Sequence, residues 1–194
     1  NTDEPTIKAM VDGYYNEIKH LYDEILPSSA SYSEYQISDY IAKLIQKYTG
    51  ADAGIHNSGG TRAPINSGES WSYAKLFQIF PFDNTIVLVT VSGSEFRSQT
   101  NRNVVFKKEG LGSINNSSNY VIATNDYIFG NSDSLRNSDN IIYTGITLLD
   151  ILVEAIENQK EAGNAKFNIN NTIIFNEPLM LVTDIYQPKT YLSI

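Results

Sequence analysis

The run His56-Asn57-Ser58-Gly59-Gly60-Thr61-Arg62 puts an imidazole, an amide, two adjacent glycines and a fixed positive charge into one short segment. Adjacent glycines let a backbone turn with positive φ and aim its N–H groups at one point. Arginine adds a planar fork of donors matched to carboxylate or phosphate. The chemistry this supports is anion binding. A strand-to-loop turn carrying a surface arginine is the plain alternative, and the segment is neither a Walker sequence nor a Rossmann fingerprint. His56 reads as a packed or hydrogen-bonded imidazole more readily than as a base.

Two aromatic segments accompany it. In Phe77 to Thr85, Phe77 and Phe80 read as core, whereas Phe82 falls between a helix and a strand, where a ring can face a cleft. Asn84 could meet a base edge or cap the turn; both readings stay open. Further on, Asn125-Asp126-Tyr127 closes a strand, and Asp133 follows Tyr127 by six positions. A tyrosine can stack on a base and a carboxylate can take both ribose hydroxyls. The alternative is a polar loop with Tyr127 anchored in the core.

Composition limits the chemistry further. The chain has 194 residues and a formal net charge of -8, which argues against a nucleic acid polymer as partner, since backbone binding needs a basic surface. One local arginine is enough for a single nucleotide. Cysteine is absent, which removes disulfides and thiolate metal sites. His20 and His56 are the only histidines, and the Asp residues show no paired metal spacing. No apolar run is long enough to span a membrane. The polar start Asn1-Thr2-Asp3-Glu4-Pro5 reads as a processed or truncated terminus.

The elements that must position these residues follow from periodicity. Helical spacing of Ile7, Met10, Val11, Tyr14, Ile18, Leu21, Tyr22 and Ile25 predicts a helix over 5–26, stopped by Pro27. Ser33 and Gln36 form a candidate capping box for a second helix, with Gly50 as its C-cap. Strands are expected over 51–56, 85–91 and 120–124, an edge strand over 104–106, and helices over 73–80 and 147–159, the last capped by Thr147. A short helix capped by Ser94 is expected to run to Gln99, and residues 125–140 to form a polar loop. Late strands are expected at 173–175 and 179–182. The order implies an α+β fold, or mixed α/β layers, in a single domain over 1–194, with the part after about 160 least defined.

Asn57-Ser-Gly-Gly-Thr-Arg62, Pro81-Phe82-Asp83-Asn84 and Tyr127-Ile-Phe-Gly-Asn-Ser-Asp133 together resemble the C-terminal domain of the 5'-nucleotidase family, which includes 2',3'-cyclic-nucleotide 2'-phosphodiesterases. The resemblance runs from about Ile7 to about residue 160. It implies a substrate-binding domain in which Arg62 holds phosphate oxygens, Asn57 lies at the junction with the catalytic site, and Gly59 and Gly60 belong to the substrate-binding set. It also implies that Phe82 and Tyr127 sandwich the base, Asn84 contacts its edge and Asp133 takes the ribose hydroxyls. Two departures stand out. Ser31 to Gln36 lacks the second phosphate-binding arginine of several members, and Asn131-Ser132 replaces a Gly-Gly pair.

The same resemblance implies that hydrolysis belongs to an N-terminal metallophosphoesterase domain holding a divalent metal pair (zinc, manganese or cobalt). This chain would then carry no cofactor and be inactive alone. The expected setting is a bacterial, extracytoplasmic enzyme, secreted or attached to the cell wall. The alternative is a stand-alone, non-catalytic nucleotide-binding or surface interaction module.

Overall fold

The structure, a computed structural model, describes residues 5–179. Its centre is the apolar run Thr85–Ser92, strand β4, flanked by Asn119–Asn125 (β6) and Ile141–Thr147 (β7), both antiparallel to it. Ala53–His56 (β2) pairs parallel with β6 and antiparallel with Val104–Lys107 (β5). The sheet order is β5-β2-β6-β4-β7, so the expected edge strand at 104–106 is indeed an edge. A separate two-stranded sheet joins Glu24–Pro27 (β1) to Ser70–Ser72 (β3).

Side chains alternate across a strand, and β4 uses both faces. Ile86 and Leu88 enter one core with Ile37, Ile41, Leu44, Leu152, Ile156 and Trp71. Val87, Val89 and Val91 enter a second with Ala53, Ile55, Phe96, Ile122, Phe129 and Leu135. The helices Glu34–Thr49 (α2) and Leu148–Glu161 (α7) cover the first face. Gly93–Thr100 (α4), Asp126–Gly130 (α5) and Asp133–Arg136 (α6) cover the second. This is the α+β, mixed-sheet arrangement expected.

The helix ends follow their sequence signals. Ser33 and Gln36 make a reciprocal capping box on α2, and Gly50 ends the helix at φ 68. Thr147 and Asp150 do the same for α7. Gly54 serves the packing of α2 on β2: a Cβ there would lie 2.1 Å from the Ala42 carbonyl oxygen.

Several expectations are corrected. Helix α1 covers Pro5–Ile18 only; a 3-10 turn follows, and 24–27 is strand, where Ile25 and Leu26 are buried. Pro27 therefore ends β1 and stops no helix. The α1 stripe of Ile7, Met10, Val11, Tyr14 and Ile18 is exposed. The cap of α4 is Ser92, whose hydroxyl accepts the Glu95 N–H, and not Ser94. The polar loop over 125–140 contains two short helices, because Asn125 and Ser132 are cap residues. β7 has no strand signal in the sequence, because Ile141 to Thr147 shows neither a clean alternation nor a continuous apolar run. Residues 173–175 form no strand, and 180–182 lie outside the described residues.

The segment after α7 is nevertheless bound to the core. Phe167 is fully buried, edge-on to Trp71 (5.2 Å) and Tyr40 (5.7 Å), with its N–H donating to the Pro27 carbonyl at 2.8 Å. Gln159 clamps the next residue, donating to the Asn168 carbonyl at 2.9 Å and accepting its N–H at 3.0 Å.

Candidate functional site

The sheet topology brings the candidate residues to one end. β2 ends at His56, and parallel to it β6 ends at Asn125, whose residue pair across the ladder is Ile86, near the start of β4. The segments carrying Asn57–Arg62, Phe82–Asn84 and Tyr127 therefore leave or enter the sheet side by side, although 70 positions separate Asn57 from Tyr127 in the sequence.

Arg62 is held from its backbone. Its N–H donates to the Ile79 carbonyl at 2.8 Å, at the end of helix α3 (Tyr73–Ile79). That bond joins the glycine turn to the Phe80–Asp83 loop and brings the guanidinium over the Phe82 ring, 5.3 Å from its centroid. A cation–π contact of this kind is worth about 0.5–1 kcal/mol at an exposed site. The ring it covers remains half exposed.

The glycine turn is a short 3-10 segment, Ser58–Gly60. Neither Gly59 nor Gly60 has positive φ, so the expected reason for the pair is corrected. Gly60 is required by close approach instead, since a Cβ would lie 2.9 Å from His56 Cε1. At Gly59 a Cβ would meet only Asn57 Nδ2, at an ordinary contact distance of 3.9 Å.

Below the turn lies a buried polar chain. Ser38 on α2 donates from Oγ to Thr61 Oγ1 at 2.9 Å. His56 Nε2 lies 3.2 Å from the same Thr61 oxygen, and His56 Nδ1 lies 3.3 Å from Asn125 Nδ2. Asn125 Nδ2 also donates to Asn57 Oδ1 at 2.7 Å, while Asn125 Oδ1 accepts the Ile128 N–H at 2.9 Å as the cap of α5. His56 is fully buried, with the Phe80 ring edge-on at 6.2 Å. Burial lowers its pKa to about 4, so the ring is neutral at physiological pH. The hydrogen-bonding reading of His56 holds.

On the aromatic side, Phe80 is core as expected, but Phe77 is exposed. Phe82 is 48% and Tyr127 57% exposed, so Tyr127 is not anchored in the core; Ile128 and Phe129 fill that role in the same helix. Asn84 Nδ2 donates to Asp126 Oδ1 at 2.7 Å, and Thr85 Oγ1 to Asp126 Oδ2 at 3.2 Å. Asn84 therefore fastens the Phe82 loop to the start of α5, which favours its structural reading. Asp133 begins α6 with its side chain 87% exposed and ion-paired to Arg136, which also donates to the Gly130 carbonyl.

Asn125, Asp126, Thr61 and Ser38 were not singled out from the sequence. Only Asn125 carried a signal, as a cap-type residue between an apolar strand and a short apolar run. Among the described residues no group of three or more His, Asp or Glu side chains is placed to hold a metal ion, and no helix is long and apolar enough to cross a membrane.

The fold is one seen in solved nucleotidases. Residues 18–103 match the family described as 5'-nucleotidase, C-terminal domain. A 5'-nucleotidase precursor of Thermus thermophilus superposes with a TM-score of 0.66 at 18% identity, over 79% of this chain and 40% of that one. The NAD nucleotidase of Haemophilus influenzae does so at 0.57 and 15% identity, over 82% of this chain and 40% of that one. A sulfate thiohydrolase of Thermus thermophilus superposes at 0.54 and 8% identity, over 95% of this chain and 40% of that one. The chain thus spans about 40% of the length of these proteins, and identities this low speak for the fold alone. No curated protein sequence matches the chain.

Proposed function

We propose that this domain recognises a nucleoside or nucleotide for a metal-dependent phosphoester hydrolase, with the hydrolysis carried by an N-terminal domain of the same polypeptide. One observation carries the reading. Two half-exposed rings, Phe82 and Tyr127, stand on segments fastened together by Asn84 and Asp126, with the Arg62 guanidinium on the Phe82 face. A flat base gains ~1–3 kcal/mol on each ring it stacks against, whatever its identity. Arg62 supplies charge-assisted bonds to an anion beside it. Asn57 is held with its Oδ1 occupied, and Gly59 and Gly60 carry the turn that leads to Arg62. The role of Asp133 toward a ribose requires it to exchange Arg136 for the sugar hydroxyls.

In this reading a divalent metal pair belongs to the N-terminal domain, where it supplies hydroxide and stabilises phosphoryl charge. This chain orients the substrate. A bacterial, extracytoplasmic setting, secreted or wall-attached, goes with it. The Asp133–Arg136 pair favours a second reading, a non-catalytic binding or interaction module in which the ribose acid is committed within the fold.

Calorimetric titration with adenosine, AMP and 3'-AMP tests the proposal. Saturable binding is expected, weakened roughly 5- to 150-fold by Phe82→Ala or Tyr127→Ala. Arg62→Ala should weaken AMP more than adenosine. Binding unchanged in all three variants would reject the site. The open reading frame upstream separates the two readings: Asp-x-His and Gly-Asn-His-Glu/Asp motifs there mark the enzyme.

A further inference from the structure

The hydrogens of the buried polar chain can be assigned from its ends. The Ile128 N–H bonds Asn125 Oδ1, which fixes the orientation of that amide. Its Nδ2 is then the group facing both Asn57 Oδ1 and His56 Nδ1. A donor opposite Nδ1 requires a lone pair there, so the ring proton sits on Nε2 and is donated to Thr61 Oγ1. Thr61 also accepts from Ser38, and Arg62 follows it directly. One imidazole therefore accepts from the strand end that opens α5 and donates to the turn that carries Arg62. Its contacts Thr61, Asn125, Gly60 and Phe80 are all uncharged. The charged residues next along these segments face elsewhere, Arg62 toward Phe82 and Asp126 toward Asn84 and Thr85.

We propose that His56 is a positioning residue: its neutral Nε2–H tautomer holds the anion-side turn and the Tyr127-bearing helix in register for a single nucleoside phosphate. The proposal rests on the nucleotide reading above. The two ring nitrogens have separable duties. Glutamine at 56 keeps a donor near the Nε2 position but offers Asn125 no acceptor. Asparagine keeps an acceptor near the Nδ1 position but offers Thr61 no donor.

The test uses the whole chain, with adenosine and AMP as probes. Nitrogen NMR of the wild-type imidazole should show the Nε2–H tautomer. In folded His56→Gln, both ligands should weaken together, by about tenfold. In folded His56→Asn, adenosine should bind near the wild-type level while the advantage of AMP over adenosine shrinks by about the same factor. An Nδ1–H tautomer overturns the proposal, and this measurement decides the matter if a variant fails to fold. Wild-type affinities in both variants, or equal losses with no split between ligands, also overturn it. If Arg62→Ala weakens AMP in those cases, the nucleotide reading stands without it. Failure of the wild-type chain to bind either probe overturns both.

Discussion

His56 shows how one buried residue can tie stability to pH. In the unfolded chain its imidazole titrates near 6.5; in the fold, desolvation lowers the pKa to about 4. Between those values the unfolded state binds more protons, so stability rises with pH. The contribution of the neutral ring is complete above about pH 6.5 and is lost as pH falls through 4. Its ceiling is roughly 3 kcal/mol. Urea unfolding at pH 7 and pH 4.5 should therefore show a steeper loss for the wild type than for His56→Gln, so that the gap between them narrows in acid. A gap independent of pH would mean that the ring is not the titrating group. The physical reason is burial of the ring, and the donor opposite Nδ1 acts in the same direction, because a second ring proton would face the Asn125 amide hydrogens.

At the scale of elements, the close approach of α2 to β2 sets the geometry of the whole site end, because both Ser38 and the residues preceding His56 belong to that pair. Gly54 makes the approach possible. The atom that a Cβ would strike is a helix carbonyl oxygen at 2.1 Å, and a backbone atom cannot swing away. Gly54→Ala should cost about 3 kcal/mol or more in chemical unfolding. Gly59→Ala, with only an ordinary contact to Asn57 Nδ2 and no positive φ, should change stability by less than about 1 kcal/mol. Equal effects of the two substitutions would contradict this account of the glycines. Local capping chemistry completes the elements: Asn125 both starts α5 and reaches Asn57, so a cap residue doubles as a link between strands.

For the molecule as a whole, the segment after α7 is part of the core. Phe167 fills the space between Trp71 and Tyr40, and Gln159 pins the following residue by two backbone bonds. Phe167→Ala should cost about 3–5 kcal/mol, as expected for emptying a fully buried aromatic site, read as a lowered midpoint with unchanged slope in denaturant titration. A cost below about 1 kcal/mol would show that the segment is peripheral. The core so closed has two layers on one sheet, and Arg62 stands at its site end on a chain of net charge -8. The proposed recognition of an anion would therefore depend on local geometry and not on the overall field.

Much of this was legible in residue order. The capping boxes of α2 and α7, the Gly50 cap, the buried β4 and β6 and the edge position of β5 all rest on short-range rules, and each was readable from neighbours in sequence. The three motifs, too, named the segments that meet at the site. Other facts required the tertiary structure, because they depend on partners distant in the chain. The stripe of α1 has helical spacing whether or not anything covers it, and only the fold shows it exposed. A Gly-Gly pair reads as a device for positive φ until the His56 ring is seen against Gly60. Asn84 could serve a base or a turn until Asp126 arrives from 42 positions away. The sequence determined the elements and the chemical kinds present. Hydrogen bonds between strand ends decided which of those groups are spent within the fold and which remain for a ligand, because a side chain's donors are committed only when tertiary packing brings it an acceptor.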